Sequence, residues 1–108
     1  MADLKAALWE SERALALSRQ AGWEQGEAMA LLACGVTLKR LGQPDRAIPH
    51  YRRAVALHRV SGNAHGEVRG LGNLASAYLV LARLGHAEDC LHAALPSPAS
   101  PATGTCRL

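Results

Sequence analysis

Residues 41–67 read LGQPDRAIPHYRRAVALHRVSGNAHGE and contain a turn, a helix, a second turn and the start of another helix. Gly42 stands where a preceding helix would end, because glycine adopts the left-handed conformation without a Cβ clash. Pro44 follows where a first-turn proline is tolerated, since its missing N–H would be unpaired there anyway. Gly62 ends the helix in the same way as Gly42. The stretch therefore predicts one helix bounded by two glycine turns.

The helix inside this stretch is predicted to be amphipathic. Ile48, Tyr51 and Val55 recur at three- and four-residue steps, which is the spacing of an apolar stripe on a helix. Ala54 shares this stripe, and its small side chain would let another helix approach closely. Pro49 is expected within the first turn or so, because a proline deeper in the helix would kink it.

The same pattern returns at an offset of forty residues on both sides of this helix. The coinciding residues include Ala7, Ala47 and Ala87; Ala14, Ala54 and Ala94; Leu17 and Leu57; Arg19 and Arg59; Gly22 and Gly62; and Gly26-Glu27 with Gly66-Glu67. A period of about 20–50 residues is typical of a solenoid, in which each helix pair packs against the next.

One position departs from the repeat, because Gly42 falls on Ala82 and a glycine follows only at Gly85. The forty-residue register keeps Ala87 and Leu91 in place, so we prefer it to a shifted one. It predicts five helices, at about residues 3–20, 23–41, 44–61, 64–82 and 86–95, with the fourth extending as far as Leu84.

Composition agrees with a small helical domain followed by a tail. The chain has 108 residues, of which 49% are hydrophobic but only 4% aromatic, so alanine, leucine and valine must build the core. Residues 1–95 are predicted to form the helical repeat domain. Residues 96–108, PSPASPATGTCRL, are rich in proline and serine and aperiodic, which predicts a disordered tail.

Charge, cysteine content and hydropathy indicate a cytoplasmic protein. The net charge of +3 is too small to indicate nucleic-acid binding by itself. No apolar run approaches the ~20 residues of a membrane span, and no signal-peptide pattern is visible. Three widely separated cysteines do not indicate a disulfide framework. We therefore expect a reduced, intracellular protein that binds neither nucleic acid nor membranes.

The repeat resembles the tetratricopeptide repeat (TPR) family in its forty-residue variety, as in G-protein-signalling modulators and bacterial signalling regulators. One helix pair supplies Leu31, Cys34, Gly35, Leu38, Leu41-Gly42, Ala47, Tyr51 and Ala54, and the next supplies Leu71, Leu74, Ala75, Tyr78, Leu81, Ala87, Leu91 and Ala94. The resemblance implies an all-α fold: an α-solenoid of antiparallel helix pairs, about two and a half TPRs in five helices.

The resemblance also implies a concave groove lined by the second and fourth helices. The polar groove residues carried over from the family are Lys39, Arg40, Arg69, Asn73 and Ser76. Such a groove would suit a protein or peptide segment with acidic side chains, because its bases offer charge-assisted contacts and its amide can bond peptide backbone. The alternative is that Lys39 and Arg40 bind no ligand and are present because basic side chains are favoured at the negative, C-terminal end of a helix dipole.

Two functions follow from this sequence. The first is a non-enzymatic protein–protein interaction adaptor that holds a peptide in the groove. The second is an assembly module, in which the apolar terminal faces, with Leu4, Leu8 and Leu15 at one end, bind a second copy or the further repeats of a longer array.

Catalysis, cofactors and metals are not expected. The histidines and serines show no spacing that suggests a nucleophile with its base. His86 and Cys90 lie four residues apart on one helix, but two ligands do not make a structural metal site, which needs four.

Overall fold

The structure is a computed structural model that describes residues 3–81 and 83–94. Its five helices are α1 (Leu4–Ala21), α2 (Glu24–Arg40), α3 (Pro44–Ser61), α4 (Ala64–Val80) and α5 (Leu84–Ala94). The described part of the chain contains no strand, so the all-α prediction is confirmed. The predicted disordered tail, residues 96–108, lies outside the described residues.

The helix boundaries repeat at forty residues. Both ends of α3 lie forty positions after those of α1, and both ends of α4 lie forty positions after those of α2. Gly22, Gly42 and Gly62 end the first three helices with φ of 67°, 80° and 73°, the left-handed region where a Cβ would be strained. The expected role of glycine at these turns is therefore confirmed.

The fourth turn keeps the register although the sequence lacks the glycine. The Arg83 N–H donates to the carbonyl of Tyr78 at 2.8 Å, as the Gln43 N–H does to Leu38 at 2.9 Å. The expected extension of the fourth helix to Leu84 is wrong. The chain leaves the helix after Val80 with the same six-to-one bond as the earlier turn, and α5 begins at Leu84.

Pro49 does not lie in the first turn of α3 but is its sixth residue, within a continuous helix. A proline there removes the bond to the carbonyl four residues earlier, which is that of Asp45. Both Pro49 and Asp45 are exposed, so the carbonyl of Asp45 lies on a side of α3 where water can replace the missing bond.

The core forms where consecutive helices pack on one another. Each helix contacts the next one along the chain, and α2 also contacts α4. Small residues lie at these contacts, as predicted: Ala47 and Ala54 are fully buried, and a Cβ at Gly35 would lie 2.5 Å from Cε1 of Tyr51. Close contact between the helices therefore depends on the small size of glycine and alanine at these positions.

Leu15 was expected on an apolar terminal face, and this prediction is wrong. Leu15 is buried in the core, and Leu8 packs against that core. The physical reason is the packing of α1 on α2, which covers this side of α1.

Within the described residues, no helix combines the length and apolarity that a membrane span requires.

Candidate binding groove between α2 and α4

A cavity of about 330 Å³ lies between α2 and α4. Its lining residues are Met29, Leu32, Ala33, Val36 and Thr37 of α2 with Arg69 and Asn73 of α4. The α2 residues recur at three- and four-residue steps and the α4 pair is four apart, so each helix presents one face to the cavity. The result is an apolar floor from α2 beside a basic and an amide side chain from α4.

Met29 makes the floor accessible, because 58% of its surface is exposed whereas Leu32 beside it is buried. An exposed, flexible thioether can adapt to apolar groups of different shapes. The chemistry of the cavity therefore combines apolar contact with a guanidinium that can bind a carboxylate and an amide that can bond peptide backbone.

The structure places the five polar residues predicted for the groove in three different situations. Arg69 and Asn73 line the cavity. Lys39 donates a hydrogen bond from Nζ to Oγ of Ser76, which ties the end of α2 to α4. Arg40 is exposed at the last position of α2 and is not among the lining residues. Only two of the five are therefore directed at this cavity.

Thr37 also lines the cavity, although the sequence did not suggest it. Its Oγ1 donates to the carbonyl of Ala33 at 2.9 Å, so its hydroxyl proton is used within α2. No signal in the sequence separates this threonine from an ordinary helix residue.

Arg69 also acts on a buried histidine of α3. The pKa of His58 is lowered, first because burial disfavours the imidazolium and then because the positive charge of Arg69 is near; Glu67 opposes this shift. His58 packs against α4, where a Cβ at Gly66 would lie 2.5 Å from its Cε1. Burial and the charge of Arg69 thus both disfavour the imidazolium form of His58.

A second, shallower cavity of about 250 Å³ lies over α2, between α1 and α3. It is lined by Leu15, Arg19, Leu31, Pro49, His50 and Arg53. Beside it, Oε2 of Glu27 lies 3.2 Å from Nε of Arg19 and 3.7 Å from Nε of Arg53. One nearly buried carboxylate of α2 thus joins the helices on both of its sides.

The ion pair repeats with the helices. Arg59 Nε lies 2.7 Å from Oε2 of Glu67, forty residues after Arg19 and Glu27. The recurrence of the arginine and the glutamate was visible in the sequence, because each recurs after forty residues. That offset alone does not show that the two side chains form an ion pair.

The thiol and metal chemistry of the described residues is limited. No three His, Cys, Asp or Glu side chains of the described chain are grouped so as to hold a metal ion. Cys34 is buried and free, and burial, followed by the charge of Glu12, raises the pKa of its thiol to about 11. Very little of the Cys34 thiol is therefore ionised at neutral pH. Cys106 lies outside the described residues.

Comparison with family models, with curated proteins and with solved structures finds no match to this chain. The resemblance to the TPR family therefore stays a prediction that depends on the residues of the repeat.

Proposed function

We propose that this chain is a TPR-like α-solenoid that serves as a protein–protein interaction adaptor and binds an acidic peptide segment in the groove between α2 and α4. The observation that supports this function is the cavity between the two helices, with Met29, Leu32 and Val36 as its floor and Arg69 and Asn73 at its side. An apolar side chain of the peptide would enter the cavity while a neighbouring carboxylate pairs with Arg69.

The contact between α2 and α4 supports the solenoid arrangement. In a solenoid, the first helices of successive pairs lie beside each other, and here α2 and α4 contact each other directly as well as through α3. The Lys39–Ser76 hydrogen bond joins the same two helices. A groove formed in this way is preorganised, so a peptide would bind without ordering the protein.

The test is a fluorescence anisotropy titration with labelled twelve-residue peptides that carry one leucine flanked by glutamates. Charge-reversed peptides with lysines serve as the matched probe set. Replacing Arg69 and Asn73 together with alanine should weaken binding of the acidic peptides by about tenfold or more, since charge-assisted bonds contribute about 1.5–3 kcal/mol.

The control variant for this titration is Lys5→Ala, which removes an exposed positive charge from α1, far along the chain from the groove. It should leave the affinity unchanged. If both variants reduce binding equally, the peptides bind through net charge and not through the groove. If no acidic peptide binds at all, the adaptor function is wrong.

A second candidate is the assembly function, and it is supported by the exposure of α1. Leu17 is 55% exposed, whereas Leu57, its equivalent in α3, is 8% exposed. An apolar side chain that is buried in one repeat and open in the other indicates a helix face without a partner among the helices that the structure describes.

A further inference from the structure

The uncovered face of α1 can be defined by comparison with α3. Ala47, Ala54 and Leu57 of α3 are buried, whereas Ala14 and Leu17, at the equivalent positions of α1, are exposed and Ala7 is half-buried. Because both helices have the same length and the same boundaries in the repeat, the difference comes from the neighbours and not from the helices themselves.

The neighbour that α3 has and α1 lacks on this side is α2. Two contacts characterise how α2 packs on α3: Gly35 lies against the ring of Tyr51, and Glu27 lies 3.7 Å from Arg53. Among the helices that the structure describes, α1 contacts only α2, which covers its opposite side at Leu15. The face with Ala7, Ala14 and Leu17 is called the α1 face below.

We propose that the α1 face binds an amphipathic helix of another polypeptide that resembles α2. This inference rests on the assembly function proposed above and names the chemistry of the partner. The same backbone register and the same alanine positions already form a helix–helix interface within this chain, between α2 and α3.

The charge on the partner helix follows from Arg13. Arg13 is the equivalent of Arg53, which lies beside Glu27 in the first turn of α2. Arg13 is exposed, and its guanidinium lies over the ring of Trp9, 5.5 Å from the centroid. The partner helix therefore carries an acidic residue in its first turn, opposite Arg13, where the exposed Trp9 gives the contact an aromatic edge.

The size of the next contact residue follows from Ser11. Ser11 is the equivalent of Tyr51, whose ring leaves room only for Gly35 on the facing helix. With serine in place of tyrosine, the facing position has room for a large side chain. The partner helix therefore has the spacing of Glu27, Leu31, Gly35 and Leu38 in α2. It carries an acidic residue at the first of these positions, leucine at the second and fourth, and a large apolar residue at the third, in place of the glycine.

The experiment uses a synthetic peptide with the sequence of residues 24–41, with Gly35→Leu to fill the space at Ser11 and Cys34→Ala to prevent thiol exchange. It is titrated into the full ¹⁵N-labelled chain, and binding is followed by amide chemical shifts. We expect the shifts to be largest in α1, and we expect the peptide that keeps glycine at position 35 to bind more weakly.

Charge reversal tests the predicted ion pair. The protein variant Arg13→Glu should lose about tenfold in affinity for the peptide, and a peptide with Glu27→Lys should recover it. Ala14→Arg should abolish binding, whereas Ala16→Arg, which changes an exposed residue of α1 outside the α1 face, should not. Because Arg13, Ala14 and Ala16 are all exposed, circular dichroism should show each variant folded.

Three outcomes would overturn the inference. The first is the absence of any shift in α1 at millimolar peptide. The second is a shift at Arg69 and Asn73 instead, which would support the groove and not the α1 face. The third is sedimentation of the chain as a dimer that Ala14→Arg dissociates, because a second copy would then cover the face. If the peptide causes no chemical-shift change in α1, the anisotropy titration of acidic peptides at the groove can still succeed or fail independently.

Discussion

Gly35 and Gly72 both lie inside helices, but their surroundings are opposite. A Cβ at Gly35 would lie 2.5 Å from the buried ring of Tyr51, whereas no atom of the described residues lies within 4 Å of a Cβ at Gly72. Gly35 is thus required by packing inside the molecule. No packing contact within the described residues requires a glycine at position 72, which lies between the cavity residues Arg69 and Asn73 on α4.

Alanine at these two positions should change stability in opposite directions. Gly72→Ala should raise the free energy of unfolding by up to about 1 kcal/mol, the difference in helix propensity. Gly35→Ala gains the same propensity but introduces overpacking strain of about 1–3 kcal/mol, so a net loss of up to about 2 kcal/mol is expected. Urea unfolding of both variants measures this. Equal effects of the two substitutions would contradict the packing of Tyr51 on Gly35.

His58 should make stability depend on pH. Its pKa is lowered in the folded state by burial and by Arg69, against an ordinary value of about 6.5 in the unfolded chain. Below about pH 6.5 the unfolded state therefore binds the proton more strongly, and stability falls as pH falls; above it, both states are neutral and His58 has no effect. One proton limits the slope to about 1.4 kcal/mol per pH unit.

The measurement for His58 compares urea unfolding of the unmodified chain and of His58→Gln at pH 7.5 and pH 5.5. The variant should lose less stability between the two values, even if it is less stable at both. The two proteins differ only at residue 58, so the difference isolates His58. An identical loss in the two proteins would show that His58 is protonated without cost in the fold.

At the level of helices, Glu27 joins α2 to both neighbours and Glu67 joins α4 to one. The Glu27 side chain is 11% exposed and lies near two arginines, whereas that of Glu67 is 23% exposed and pairs with Arg59. The two arginines of Glu27 are more than half exposed, so each pair is screened by water and contributes about 0.2–1 kcal/mol.

Glu27→Gln should therefore destabilise the fold by about 1 kcal/mol, and Glu67→Gln by about half as much, because one pair is lost and not two. Thermal unfolding at low ionic strength measures both values, and 1 M salt should reduce the difference. A double-mutant cycle with Arg19→Gln gives the share of a single pair. A larger effect of Glu67→Gln would contradict the bridging role of Glu27.

In the molecule as a whole, stability should decrease from the middle of the chain toward both ends. Both α2 and α4 contact three other helices, and α3 packs between them, whereas α1 and α5 each contact one. Amide hydrogen exchange followed by mass spectrometry should therefore show the slowest exchange in α2, α3 and α4. Protection of α1 equal to that of α3 would indicate that the α1 face is already covered in solution, for example by a second copy.

The two proposed binding surfaces also belong to this largest scale. The groove exists because α2 meets α4 beside α3, and the α1 face is open because α1 contacts only α2 among the described helices. Neither surface is a property of one helix.

The helices and their turns were determined by the sequence itself. Glycines at fixed intervals and apolar residues at three- and four-residue steps act through local backbone sterics and helix periodicity, which operate within a few residues. The repeat interval also holds for α5, which begins at Leu84, forty residues after the start of α3, whereas the predicted end of α4 was a few residues too late. Pro44 likewise marked the start of α3.

Which side chains meet depends on how the helices pack. Five polar residues shared a predicted groove, yet packing directs Arg69 and Asn73 to the cavity and pairs Lys39 with Ser76. The exposure of Leu17 could not be deduced from the sequence of α1, because Leu57 occupies the equivalent position of α3 and is buried. Burial depends on neighbours that are distant in the chain, and periodicity along one helix contains no information about whether such a neighbour is present.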